Sequence, residues 1–328
     1  MKKHLLFILI FQTLYATQLF AQDPHYTQYL AVPQLINPAF TGVFDGNFRV
    51  ASNYRTQWTA FGSPFTSMIA GVEGKIFNGD AYYQNPFNMG LVVQSDKTLK
   101  GALTSNNLTA AAAYHVPLNR DGNKSFGLAL SGTYGKRNFN FSNLVAESQF
   151  ESGGFNPIAQ SGEVAFESMR PYFSVGAGIL YSNSLEEEGT FFQIGASAFH
   201  INRPVQTILY SSEEAIPMRI SAQASLQRYV AEDLLLDANL MYQNQASSDY
   251  LYGSLAVTKL LDQDQDGRLI GLGCLYRTGD AVAPFIFGEF NSLRVGFSYD
   301  IQVNDIRKSA APASSLEFSL QYRFKSKW

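Results

Sequence analysis

The 328-residue sequence is poor in the groups that mark most soluble enzymes and small secreted domains. It holds one cysteine, Cys274, so no internal disulfide is available. No cysteine follows the N-terminal apolar run, which excludes a lipoprotein anchor. Charged residues make up 16% of the chain, against a usual value of about 25%. The formal net charge is −3, which gives no electrostatic footprint for nucleic acid. Past residue 21 no apolar stretch is long enough for a transmembrane helix, which needs about 20 residues. The four histidines, His4, His25, His115 and His200, have no metal-ligand spacing. Neither a Gly-x-Ser-x-Gly elbow nor a phosphate loop is present. No enzymatic role, cofactor or metal is therefore expected. Asp262-x-Asp264-x-Asp266-Gly267 copies the first half of a calcium loop, but its twelfth position is Gly273 where Glu is needed. It reads as a solvated hairpin turn.

What the chain does have is a leader, aromatic residues and alternation. Met1-Lys2-Lys3, the apolar run 5–14 and Ala21-Gln22 follow the order of a secretory signal, which places a signal peptide at 1–21. Aromatics reach 14%, carried by 26 Phe and 18 Tyr. Successive side chains of a strand point to opposite faces. In 293–302, Leu293, Val295, Phe297, Tyr299 and Ile301 share one face, with Arg294, Gly296, Ser298, Asp300 and Gln302 on the other. Residues 316–325, 219–227 and 192–198 repeat the pattern. Turn signals such as 119–123, 182–184, 264–267 and Asn291-Ser292 separate such runs.

The periodicity predicts fourteen strands, near 46–58, 65–77, 86–97, 103–116, 125–138, 170–182, 190–202, 217–229, 233–245, 249–260, 268–277, 281–290, 293–302 and 315–327. Many run ten residues or longer. Soluble strands average about 5–6, while strands that cross a bilayer at a tilt need about 9–11. The polar face, rich in Gly, Ser, Gln and Asn, suits a wet lumen, and the apolar face suits lipid. A soluble sandwich or propeller alternates too, but its strands are shorter. The fold expected is thus all-β, a transmembrane outer-membrane barrel of about fourteen antiparallel strands spanning 46–328. With both ends periplasmic, the long connections 139–169, 203–216 and 303–314 face outward.

Residues 22–45 do not alternate. Asn37 is a good N-cap and Pro38 fits a first turn, so a short helical plug or periplasmic element over 24–42 is expected to touch the barrel's lower mouth. Arg49, Arg55, Arg219, Asp237, Arg294, Asp300, Glu317 and Arg323 sit on the polar faces, and several are expected to pair across the lumen, because unpaired charge away from water is costly. Their mixed sign argues against a single-sign ion filter. Trp58, Tyr299, Tyr322 and Trp328 fit interface girdles or packing at loop bases.

Several short motifs recur in a fixed order: Gln22-Asp23, Thr27-Gln28-Tyr29, Asn37-Pro38-Ala39 and Tyr54-Arg55-Thr56-Gln57-Trp58. Further on come His200-Ile201-Asn202-Arg203-Pro204, Gly271 to Tyr276-Arg277 with Asp280-Ala281, Phe297-Ser298-Tyr299-Asp300, and Leu316-Glu317 to Phe324. Together they resemble the PorP/SprF family of Bacteroidetes outer-membrane proteins, along essentially the whole mature chain. Two departures are Phe297, where the family has Tyr, and the extension past Phe324 to Trp328. The resemblance implies a component of the type IX secretion system that helps secrete or retain cell-surface proteins, some of them gliding adhesins. The implied partners are a secreted protein with a C-terminal signal domain, periplasmic and outer-membrane secretion components, and the lipid bilayer. It makes Asn37, Pro38, Arg55, Trp58, Tyr276, Arg277, Tyr299 and Asp300 the signature positions. The polar lumen by itself leaves a passive channel or small-solute transporter open.

Overall fold

A computed structural model describes residues 23–59, 63–76, 87–140, 149–151, 154–156, 169–185, 189–207, 213–261, 267–303 and 314–324. The expected signal segment, residues 262–266, Trp328 and most of the connections 139–169 and 303–314, with 208–212, lie outside these residues.

The chain forms a closed barrel of fourteen antiparallel strands. We number them β1 (Phe48–Gln57), β2 (Phe65–Lys75), β3 (Phe87–Thr98), β4 (Leu103–Pro117), β5 (Lys124–Phe139), β6 (Tyr172–Leu185) and β7 (Thr190–Phe199). The second half is β8 (Arg219–Ala231), β9 (Leu234–Gln245), β10 (Ser248–Leu260), β11 (Leu269–Arg277), β12 (Ala281–Phe290), β13 (Leu293–Gln302) and β14 (Ser314–Phe324). Each strand pairs with its sequence neighbours, and β1 closes on β14 from Phe48↔Phe324 to Gln57↔Ser315. All fourteen expected strands are present, with lengths from 9 to 16 residues. Closure leaves no open edge, which lipid could not satisfy. Two short ribbons, Val205–Thr207 with Glu213–Ala215 and Phe150–Glu151 with Gly154–Phe155, decorate the long connections.

Burial follows the two-residue period. In β3 and β14 the wall alternates exposed apolar and buried polar residues. Leu130, Leu255 and Leu272 are 66%, 62% and 65% exposed on the outside, an exposure that only a lipid environment makes favourable over a whole belt. Inside are Asn53, Arg55, Ser67, Gln94, Ser298 and Glu317. The mouth holding Phe48 and Phe324 also carries the tight turns at 118–123, 232–233 and 291–292, whereas 140–171, 200–218 and 303–313 leave from the other mouth. In outer-membrane barrels the tight-turn mouth faces the periplasm.

The apolar core is not in the wall. It is made where the N-terminal segment meets the wall. Tyr26 and Val32 pack with Ala51, Ile69 and Val92. Ile36 packs with Met241, Tyr252, Leu275 and Ala283. Ala39 and Phe40 pack with Ala113, Ala129 and Leu180. Small alanines on the inner face leave room that the segment fills.

Candidate functional site: a lumen occupied by the N-terminal segment

The segment before β1 contains three 3-10 turns, Tyr29–Ala31, Pro33–Leu35 and Pro38–Phe40. Asn37 caps the last of them, its side chain accepting from the Ala39 N–H at 2.8 Å. Short turns suit a chain that must bend inside a confined bore. The path can be read from its partners. At the periplasmic mouth, Lys75 donates to the Phe44 carbonyl (2.9 Å) and Gly42 N–H to Glu73 (2.7 Å). His115 lies 3.1 Å from the Thr41 carbonyl. Higher in the bore, Asn37 donates to the Ile179 carbonyl (2.9 Å) and Arg219 to the Leu35 carbonyl (2.7 Å). The chain then dips, held at Leu30 and Ala31 by Gln321. It rises again to Asp23, whose N–H donates to Gln245 (2.9 Å) and whose carboxylate meets Arg219 (2.9 Å) and His200 (3.1 Å). Those three residues sit at the outer ends of β7, β8 and β9. The segment therefore spans the bore, well beyond the contact with the lower mouth expected from sequence.

Toward the outer mouth lies a charge cluster. Arg55 bonds Asp300 at 2.7 Å and Glu317 at 2.8 Å, and Arg277 reaches Asp300 at 3.1 Å and also pairs with Asp280. Arg55, Asp300 and Glu317 are each 1% exposed. Glu317 accepts from four groups: the Thr27 and Gln28 N–H groups (2.8 and 2.7 Å), Asn53 (2.8 Å) and Arg55. The Thr27 hydroxyl donates to Asp300 at 2.6 Å. Two arginines face two buried acids here, and backbone donors fill the remaining acceptor sites. A buried pair is tolerated only on such terms.

The pairing differs from the expectation in one respect. The paired charges join neighbours along the wall or, for Arg219, Asp23 of the segment, not partners across the bore. Arg55 stands opposite Glu317, and Arg49 opposite Glu73, in adjacent strands. Arg323 pairs with Glu289. The reason is that the segment occupies the middle, so cross-lumen reach is blocked. Asp237 is held by Gln227 and Thr258, and Arg294 stacks on Phe287.

Of the signature positions, Asn37 and Pro38 are buried in the lumen, and Arg55, Arg277 and Asp300 join in the cluster. Trp58, Tyr276 and Tyr299 face outward near the outer mouth, and Tyr322 faces outward near the inner one. They stand on the bilayer side and do not belong to the lumen site. The sequence reading missed Asp23, Glu73 and the histidines as anchors. His25 Nδ1 lies 2.8 Å from the Tyr252 hydroxyl, and His200 Nδ1 lies 2.8 Å from the Ser174 hydroxyl. Burial, with Arg277 and Arg219 nearby, pushes the His25 imidazole down to about 3. Despite burial, which alone would raise it, the Asp23 carboxyl is held well below the usual range by Arg219 and His200. The inward parity of Glu73 was the available signal. Close approach also required glycine: a Cβ at Gly178 would collide with Asn37, and one at Gly296 with Gln28.

A closed wall, an apolar exterior and a packed polar bore define an outer-membrane β-barrel. Its fold is similar to that of the toluene transporter TbuX of Ralstonia pickettii, with TM-score 0.50, 10% identity, and 90% of this chain and 94% of that one covered. It is also similar to the toluene transporter TodX of Pseudomonas putida, with TM-score 0.51, 9% identity, and 93% and 98% covered. Likeness at that identity concerns the fold alone. No curated protein matches the chain. The family described as type IX secretion system membrane protein PorP/SprF matches residues 18–322. The chain belongs to that family and is an outer-membrane component of the type IX secretion system.

Proposed function

We propose that the protein is a plugged outer-membrane scaffold that assists the secretion or surface anchoring of a cognate cell-surface protein. The cargo presents a C-terminal secretion signal domain to the outer connections 139–169, 203–216 and 303–314. Secretion-system components engage the periplasmic mouth. One observation carries the scaffold reading: the bore is occupied by residues 23–47, tied to a buried charge cluster whose carboxylates are satisfied. An open pore for passive flux carries no such obstruction, although plugged barrels also serve as transporters. The family's place in type IX secretion supports the direction of the proposal. Deleting the gene tests it. The expected result is loss of a large surface protein from the cell exterior, with its accumulation in the periplasm. Continued secretion and attachment of all such proteins would overturn the reading.

The runner-up is a passive channel or small-solute transporter, favoured by the cavity that remains beside the plug at the inner mouth. Steady open-channel conductance by the full-length protein would select it.

A further inference from the structure

The segment does not fill the bore evenly. Between residues 27–45 and the wall from β7 to β14, a cavity of about 490 Å³ remains at the periplasmic end. A smaller one of about 90 Å³ adjoins it and shares Leu30, Phe40, Phe191 and Gln193 in its lining. The size of the larger cavity falls in the ordinary range for ligand sites, roughly 300–1,000 Å³. Exposed Asp45 and Gln227 stand in its lining near the periplasmic ends of the segment and β8. Its apolar part comes from Phe44, Phe285, Phe287 and Leu275.

Arg294 distinguishes this cavity. Its guanidinium lies 3.9 Å from the centroid of the Phe287 ring. Among the described residues it makes no hydrogen bond or ion pair. The two nearby carboxylates are already engaged. Glu289, directly opposite Arg294 in register, pairs with Arg323. Asp237 accepts from Gln227 at 2.6 Å and from Thr258 at 3.0 Å. In the adjoining cavity both polar side-chain atoms of Gln223 are buried without a partner among the described residues. The contrast with Arg49, Arg55, Arg219, Arg277 and Arg323 is plain, since each of those holds a carboxylate.

We propose that this vestibule is a binding site for a carboxylate carried on an apolar body, entering from the periplasm, with Arg294 as its charged anchor. A guanidinium pre-oriented on an aromatic face offers parallel N–H groups that match a carboxylate in two-point contact. The surrounding phenylalanines cover the apolar part, and the free Gln223 amide can take a peptide-like group. One carboxylate suffices, because Glu289 is paired with Arg323 and Asp237 is held by Gln227 and Thr258 without a direct bond to Arg294. The ligand is either the C-terminus of a polypeptide or a free organic acid.

Saturation-transfer NMR on the full-length protein in detergent tests this with three probes: N-acetyl-phenylalanine, its amide, and 3-phenylpropionate. N-acetyl-phenylalanine is expected to bind, with the amide weaker by about tenfold or more. Arg294→Gln is expected to abolish the signal. Arg294→Lys keeps the charge but loses the fork, and is expected to weaken binding by at least about threefold. Retention of the heat-dependent gel shift of a folded barrel verifies both variants. Binding of 3-phenylpropionate as tight as that of the acetylated amino acid assigns the site to free acids, and weaker binding assigns it to a polypeptide terminus. Equal binding of acid and amide would overturn the proposal. So would undiminished binding by a folded Arg294 variant, or no binding of either acid at about 10 mM.

Discussion

The two ends of the lumen are built on opposite terms. Toward the outer mouth, Arg55, Arg277, Asp300 and Glu317 lie under the segment with almost no exposure, and their partners are the segment's own N–H and hydroxyl groups. Toward the periplasm, Arg294 has no acid, and a cavity large enough for a ligand stands open beside it. The same polar-inward pattern thus gives a seal at one end and a receptive vestibule at the other. The difference is made by the N-terminal segment. Where it covers the wall, desolvation has been incurred, and each charge is met there by an opposite charge or, at Asp96, by the Ser67 hydroxyl and the Gln94 amide. Where it leaves the wall bare, a cavity with room for water adjoins Arg294, and an unmatched guanidinium costs less there.

Breaking the sealed end should have the largest effect. Glu317→Ala leaves Arg55 with one acid in place of two and removes the acceptor for two backbone N–H groups. Loss of one member of a buried, hydrogen-bonded charge set costs about 3–5 kcal/mol. Urea unfolding in detergent micelles should read that loss. The corresponding change in the receptive end, Arg294→Gln, should leave the midpoint nearly unmoved. A smaller effect is expected from Gly178→Val, which drives a side chain into Asn37. Overpacking of this kind costs about 1–3 kcal/mol. Limited proteolysis from the N-terminus should quicken, with barrel strands still protected.

The smallest effect, at most about 1.4 kcal/mol per pH unit, concerns acid. His25 is docked neutral, its pKa lowered from 6.5 to about 3. A depressed folded pKa means that its contribution is complete above the unfolded value and declines as pH falls from about 6.5 toward 3. Asp23, also shifted down, loses its pairing with Arg219 and His200 in the same acid direction. Segment protection should therefore weaken on acidification by at most about tenfold per pH unit for the histidine. Hydrogen exchange of the 25–31 amides checks this, and His25→Asn should flatten the response between pH 6.5 and 4.

The wall was legible in the sequence because a two-residue period has only two faces to fill. In β13, Leu293 to Ile301 and Arg294 to Gln302 sort themselves with no tertiary information, and the structure follows them. Arg55 and Asp300 could be placed inside by the same parity, while Arg277 was marked only by the family resemblance. Their partners could not. Glu317 was known to face inward, but its bonds to Thr27 and Gln28 join residues nearly the whole chain apart. The path of the segment has no period to read, since three short 3-10 turns repeat too briefly to give one. The histidines were discounted for lacking metal spacing. Their roles depend on contacts such as His200 with Asp23, which only the closed barrel creates. The vestibule was invisible for a similar reason: a cavity is what packing leaves over.

Single-channel recording in planar bilayers tests the sealed bore most directly. The full-length protein is expected to give no stable conductance steps, and a variant lacking residues 24–42 that still shows the gel shift of a folded barrel is expected to give them. Stable open steps from the full-length protein, equal to those of the deletion, would contradict the account.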